Sequence, residues 1–234
     1  MVRLTMEKVS IIIPVFNEEK TLQQVLTKVK ATKIKANKEI IVVNDASRDN
    51  SADILNNTKG IRVFHHQINK GKGAAIRTGL NQATGSIILI QDADLEYSPN
   101  EYPQILAPIL DKKARVVYGS RIAALKRDTK DMYWMHYFGN RFLSFTTSIL
   151  YGKQVTDMET CYKVFRRDVL KGMVLRCKRF DFEPEITAKI LKKGYHIFEV
   201  PISFHARKFN EGKKITWKDG VKALFYLVKY RIMD

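Results

Sequence analysis

Two cysteines, Cys161 and Cys177, are all that the 234 residues contain. Their separation builds neither a metal-ligand set nor a disulfide framework, so a reducing compartment is the default. Apolar runs are short, and none approaches the roughly 20 residues that a spanning helix requires. The polar stretch from Met1 to Lys8, followed by an apolar run too short for a leader, gives no expectation of a signal peptide. Acidic residues are scarce beside basic ones, 24 Asp plus Glu against 41 Lys plus Arg, for a formal net charge of +17. Such a surplus implies an anionic partner: nucleic acid, anionic lipid or a phosphorylated substrate. Internal repeats, low-complexity tracts and Pro/Ser-rich linkers are missing as well, so residues 1–234 are expected to form one domain.

What is present begins with Ser86 to Glu96, where an apolar run after Gly85 leads into Asp92 and Asp94. An uninterrupted run of this length suits a strand covered on both faces, and the aspartates would emerge at its C-terminal end, where open α/β sheets bind ligands. Two carboxylates one residue apart can share a hard divalent cation, Mg2+ or Mn2+. Read without context, the same pair is a solvated acidic turn.

Context comes from alternating strand and helix signals. Val9–Val15, Ile40–Val43, Ile61–Phe64 and Arg115–Tyr118 read as strands. Asn17 is expected to cap a helix that buries Leu22, Val25, Leu26 and Val29. A Gly-rich turn from Asn69 to Gly73 opens a helix through Ile76 and Leu80. It lacks P-loop spacing, so it either packs that helix closely on the sheet or brings Lys72 beside a diphosphate. Glu183 and Glu185 begin a further helix and Lys192, Lys193 and Gly194 end it, so capping charge is the simpler account of the two glutamates, the alternative being that one orients substrate or binds an interfacial basic group. In a parallel sheet the polar strand ends Asn44-Asp45, Asp92-Ala93-Asp94 and Ser120-Arg121 share an edge with Pro14 to Glu18. That edge has what a nucleoside diphosphate requires.

The segments Val9-Ser-Ile-Ile-Ile-Pro-Val-Phe-Asn-Glu-Glu19, Val42-Val-Asn-Asp-Ala-Ser-Arg-Asp-Asn-Ser51, Asn69 to Gly79, Asp92-Ala-Asp-Leu-Glu96 and Gly119-Ser-Arg121 resemble, in order, the motifs of family-2 glycosyltransferases. Asp157 to Arg167, Phe180 to Ile186, Glu199 to Ser203, Arg207 and Gly212-Lys-Lys214 resemble the dolichol-phosphate mannose synthase-like, polyprenyl-phosphate branch. The resemblance implies a GT-A fold, an α/β Rossmann-like and mostly parallel central sheet with helices on both faces. It implies inverting, metal-dependent transfer of a hexose from a UDP- or GDP-sugar to a polyprenyl phosphate. On it, Pro14, Phe16, Glu18, Asn44 and Asp45 hold the nucleoside, with Lys72 and Asp92 nearby. Asn44 stands where relatives commonly carry Asp, which leaves base selectivity open. Glu96 stands where mannose synthases carry Gln, and either joins Asp92 and Asp94 on the metal or points to solvent.

A polyprenyl phosphate is already an anion, so its oxygen needs no general base. Arg121 and the basic segment Arg207-Lys208 with Lys213-Lys214 are then the expected phosphate partners, and Asp92, Asp94, Arg121 and Arg207 the catalytic set. A hydroxyl acceptor on a growing glycan is the rival; it requires a base, with Asp157 or Glu159 as the candidate. A nucleic-acid-binding module is disfavoured because the strand-end carboxylates repel a phosphate backbone. Aromatic and Met residues from Met132 to Phe138, with Phe142, Leu143 and Phe145, precede a C-terminal segment, 215–234, that sets Val221, Leu224, Phe225 and Val228 on one face. Lys218, Lys222 and Lys229 lie nearer the other. These helices either pack on the core or lie in a membrane interface. With the net charge, they lead to the expectation of a cytoplasmic enzyme peripherally attached to an anionic membrane face.

Overall fold

The computed structural model describes residues 6–124, 134–207 and 217–233. In chain order its elements are β1 (Lys8–Val15), α1 (Leu22–Ala31), β2 (Asn37–Asn44), α2 (Ser51–Asn56), β3 (Arg62–His65), α3 (Lys72–Gln82) and β4 (Ile87–Ile90). There follow α4 (Tyr102–Leu110), β5 (Val116–Ser120), α5 (Trp134–Tyr151), β6 (Lys163–Arg166), α6 (Phe182–Lys192), β7 (Phe198–Pro201) and α7 (Trp217–Ile232). All seven strands join one sheet in the order β3-β2-β1-β4-β6-β5-β7. Pairing is parallel except for β6, which runs antiparallel to both β4 and β5.

This order positions the site. From β1 the chain moves outward to β2 and β3, then returns to lay β4 on the other flank of β1, so the winding reverses between β1 and β4. Loops leaving those two strands part and open a crevice at their C-terminal ends. The strands beside it are apolar throughout because helices cover both faces: Ile11, Ile12, Ile13, Ile87, Ile88 and Leu89 have no exposed surface. Each such side chain contributes about 1.5–3 kcal/mol by leaving water. Helix α1 buries Leu22, Val25, Leu26 and Val29, as the periodicity predicts.

Two local expectations need correction, and two short elements were not expected at all. Asn17 does not cap α1: it takes a left-handed conformation, with φ 52°, and its Oδ1 accepts from the Arg48 amide at 2.8 Å. The helix instead starts from the Glu18 carbonyl, to which the Leu22 amide donates at 2.9 Å. The six-residue α2 and four-residue β6 went unforeseen, because neither is long enough to carry a period. Finally, Leu224 is half-buried against the Leu143 and Leu227 cluster, whereas Val221, Phe225, Val228 and Ile232 are exposed on α7. One face of α7 therefore packs while its other apolar face meets solvent. Met132 and Tyr133, and Lys208, Lys213 and Lys214, lie outside the described residues, as do the side chains of 134–136 and Lys218.

Candidate active site

Asp92 and Asp94 follow β4 directly, in the crevice that the winding reversal opens. Each faces a cation. Lys72 Nζ, at the start of α3, lies 2.9 Å from Asp92 Oδ1 and 3.0 Å from Glu183 Oε1. Arg207 Nη2 lies 3.0 Å from Asp94 Oδ2, and its Nη1 lies 2.9 Å from Glu18 Oε2. Glu96 fastens the Arg207 segment: its Oε1 accepts from the Arg207 amide at 3.0 Å and its carbonyl from the His205 amide at 3.0 Å.

The electrostatics are unequal. Burial works against ionising Asp92, but Lys72 outweighs it and holds the carboxyl below its usual range. Lys72 in turn is kept charged by Asp92 and Glu183 despite its burial. Asp94 is pushed up to about 7, first by burial and then by its neighbours Asp92 and Glu96, with Arg207 only partly offsetting them. Carboxylate oxygens in excess of positive charge are the donor set of a hard divalent cation. Among the described residues, however, no three His, Cys, Asp or Glu side chains already gather as a ligand set. The expected trio of Asp92, Asp94 and Glu96 is thus not preformed: Asp92 pairs with Lys72, Asp94 with the Arg207 guanidinium, and Glu96 with the Arg207 amide.

Beside β5 lies a further, largely buried ion pair. Arg121 grips Asp157 through Nε at 2.8 Å and Nη2 at 2.7 Å, and its amide adds a bond of 2.8 Å to the same carboxylate. Asn140 of α5 donates to Asp157 at 2.8 Å, and the Arg121 guanidinium lies 5.0 Å from the Phe204 ring centre. Burial opposes the charge on Asp157, yet Arg121 holds its pKa below the normal carboxylate value. A carboxylate so committed is a poor proton acceptor, so Asp157 loses its standing as a candidate base. Glu159 differs: burial, then Glu183, pushes it up to about 7.

A cavity of about 460 Å³ opens at the ends of β1 and β2, lined by Phe16, Asn44, Arg48, His66, Ile68 and Asn69 among others. Asn44 Oδ1 holds the turn there by accepting from the Ser47 amide at 3.1 Å. Asp45 does not line this cavity. It is 2% exposed, and its oxygens accept from the amides of Lys70 at 2.9 Å and Gly71 at 2.7 Å, with His66 Nδ1 2.6 Å away. Its expected direct contact with the nucleoside is replaced by a role in tying down the Gly-rich turn. At its helix end the Gly73 and Ala74 amides are not available to phosphate, since they donate to the Arg179 and Lys178 carbonyls. Gly71 is required here: its φ is +93°, and a Cβ would come 2.3 Å from the Lys178 carbonyl oxygen. Gly71→Ala is expected to cost about 1–3 kcal/mol, seen as a fall of several degrees in Tm; an unchanged Tm would mean that the turn can relax.

Sequence reasoning missed three participants. Glu183 read as a capping charge and does begin α6, but its carboxylate reaches Lys72 across more than a hundred residues. His66 had no pattern. Lys163 is fully buried, its Nζ donating to the carbonyls of Met158 and Thr160 and lying 4.5 Å from the Tyr118 ring centre. A lone lysine inside the apolar run Cys161-Tyr-Lys-Val-Phe165 was the one available signal. A larger cavity, near 760 Å³, lies toward the other end of the sheet beside Ser86, Ile88 and Arg166, remote from these carboxylates.

A mostly parallel sheet with acidic strand ends at the winding reversal is the architecture of the GT-A fold. The chain belongs to glycosyl transferase family 2, whose model matches residues 10–173. It is 30% identical to the UDP-N-acetylglucosamine–dolichyl-phosphate N-acetylglucosaminyltransferase of Methanococcus voltae, over 95% of each chain. It is 27% identical to the undecaprenyl-phosphate 4-deoxy-4-formamido-L-arabinose transferase of Proteus mirabilis, over 88% of this chain and 62% of that one. The fold is similar to glucosyl-3-phosphoglycerate synthase from Mycobacterium tuberculosis in complex with UDP, with a TM-score of 0.76, 17% identity, and coverage of 96% of this chain and 80% of the other.

Proposed function

We propose that this glycosyltransferase moves a hexose from a nucleoside-diphosphate sugar, UDP- or GDP-linked, onto a polyprenyl phosphate with inversion at the anomeric carbon. The observation that carries the reading is Arg207, whose guanidinium lies within 3.0 Å of both Glu18 and Asp94. A cation at the crevice has a clear use when two phosphates must meet, for they otherwise repel. The relatives from M. voltae and P. mirabilis carry dolichyl and undecaprenyl phosphate in their names.

In this reading Phe16 and Asn44 hold base and ribose in the cavity beside Pro14, while Asp45 shapes the pocket through the turn. Lys72 neutralises Asp92 and stands near the diphosphate. Mg2+ or Mn2+, held by Asp92 and Asp94 with Glu96 beside them, would supply positive charge for the leaving diphosphate. A related solved complex holds Mn2+ with UDP. Arg121, Arg207, Lys213 and Lys214 attract the acceptor phosphate. Its oxygen forms the new bond to the anomeric carbon as the bond to the diphosphate breaks, and the electron pair leaves with the diphosphate. No proton has to be removed. The exposed apolar face of α7, together with Lys222, supports peripheral attachment to the cytoplasmic face of a membrane.

Arg207→Ala tests the acceptor. It is expected to lower kcat/KM for polyprenyl phosphate about a hundredfold, to leave donor-nucleotide affinity measured without acceptor nearly unchanged, and to be only partly rescued by Arg207→Lys. Wild-type behaviour toward the acceptor would sink the assignment. Glu159, poised near neutrality, is the one observation favouring a hydroxyl acceptor. If label from every sugar nucleotide tried enters a glycan and never the lipid fraction, and Glu159→Gln removes the activity, that second reading stands.

A further inference from the structure

The polarity of α5 is largely inverted, although Leu143 is buried on its inner side against Leu227. Outward, Phe138, Phe142, Phe145 and Ile149 recur at intervals of three or four residues and are each about 60% exposed. Inward, Asn140, Ser144 and Ser148 recur every fourth residue and bind the segment that precedes β6. Ser148 Oγ accepts from the Val155 amide at 3.1 Å, Ser144 Oγ from the Met158 amide at 3.0 Å, and Asn140 Oδ1 from the Glu159 amide at 3.4 Å. Asn140 Nδ2 also donates to Asp157, the carboxylate that orients Arg121. A water-facing helix normally shows its polar residues to solvent and buries its apolar ones. This one keeps a polar ladder inside and leaves four large apolar side chains outside, an arrangement that suits a surface other than water.

We propose that α5 couples lipid binding to the active site: seated on an anionic lipid surface through its aromatic stripe, it fixes the 155–159 segment and so the position of Asp157 and Arg121. This rests on the reading that the acceptor is a lipid phosphate, since only then must the site be completed where the lipid lies. Charge and neighbourhood argue for lipid as the occupant. Arg141 borders the stripe, and α7, which packs against α5 through Tyr151 and Leu227, adds its own exposed apolar stripe with Lys222 and Arg231. Apolar stripes edged by cations on a chain of net charge +17 match an anionic interface. Asn140 acts as a positioning residue, since it touches Asp157 and neither substrate.

The test uses the whole chain with vesicles of phosphatidylcholine, with or without phosphatidylglycerol, and reads both co-sedimentation and amide hydrogen exchange. The parent should bind the anionic vesicles, and exchange in residues 155–159 and at Arg121 should slow about tenfold on binding. Phe142→Gln combined with Phe145→Gln should lower vesicle partitioning by about tenfold or more and remove the change in exchange. Asn140→Ala should still bind vesicles and still slow at Val155 and Met158, which Ser148 and Ser144 hold, but lose the vesicle-dependent slowing at Asp157, Glu159 and Arg121. The proposal is overturned if the parent ignores anionic vesicles, if the Phe pair binds as the parent does, which would assign the stripe to a protein partner, or if Asn140→Ala responds fully. Transfer to lipid in detergent without the exchange response would refute the coupling alone. The exchange response without any transfer to lipid would refute the acceptor reading alone.

Discussion

Asp94→Asn is expected to lower sugar transfer by about three orders of magnitude, while the metal-free variant should melt no lower than the parent. The two halves of this result have one cause. Asp94 stands among carboxylates, and burial with Asp92 and Glu96 raises its pKa from 3.8 to about 7 even with Arg207 beside it. A carboxyl that holds its proton more tightly when folded favours folding at low pH, and that advantage is lost as pH rises from the unfolded value toward 7. Above pH 7 in EDTA the ionised Asp94 is therefore a net cost, of the order of 1–2 kcal/mol after relaxation. Asparagine would remove that cost and, in the proposed reading, a charge that holds the metal. Thermal melts in EDTA at pH 5 and pH 8, beside transfer assays with Mn2+, check both halves. Parental activity in the variant, or full parental activity in EDTA, would refute the metal assignment; a large loss of Tm would mean that Asp94 is structural.

Asp157→Ala is expected to have the largest effect on stability. Its carboxylate is fully buried and takes three bonds from Arg121 and one from Asn140. Removing it strands a buried guanidinium, which costs about 3–5 kcal/mol and lowers Tm by about 10 °C for a chain of this size. Asp157→Asn should lose less, because one amide oxygen can still accept. The sign with pH is opposite to that at Asp94. Arg121 outweighs burial and depresses the folded pKa of Asp157, so its contribution is present above the usual aspartate range and disappears as pH falls through the folded value. The gap between parent and variant therefore closes in acid. Below the melting range, the activity left in Asp157→Asn should keep the parent's pH profile. A new requirement for high pH would restore Asp157 as a base.

Periodicity and strand-end chemistry made much of this legible without coordinates. The apolar runs at Val9–Val15 and Ser86–Ile90 announce strands buried on both faces, and alternation with helical signals makes parallel pairing the economical arrangement. Such patterns are local, written within a dozen residues, and the carboxylates that end the strands are legible for the same reason. Gly71, next to Asn69 and Lys70, likewise reveals a turn on composition alone.

Partnership is another matter, because a side chain's partner depends on distances that sequence separation does not encode. Lys72 meets Glu183 and Arg207 meets Glu18 across more than a hundred residues each. Sheet order, with β6 inserted antiparallel between β4 and β5, brings Asp157 under Arg121 and turns a candidate base into a clamp. The same folding commits Asp45 to the Gly-rich turn instead of the nucleoside cavity. On α5 the sequence showed aromatics and hydroxyls at helical spacing, and either set could have faced inward. The polar set faces the interior because the 155–159 segment has amides to satisfy there, and an unpaired buried amide costs more than an exposed phenylalanine.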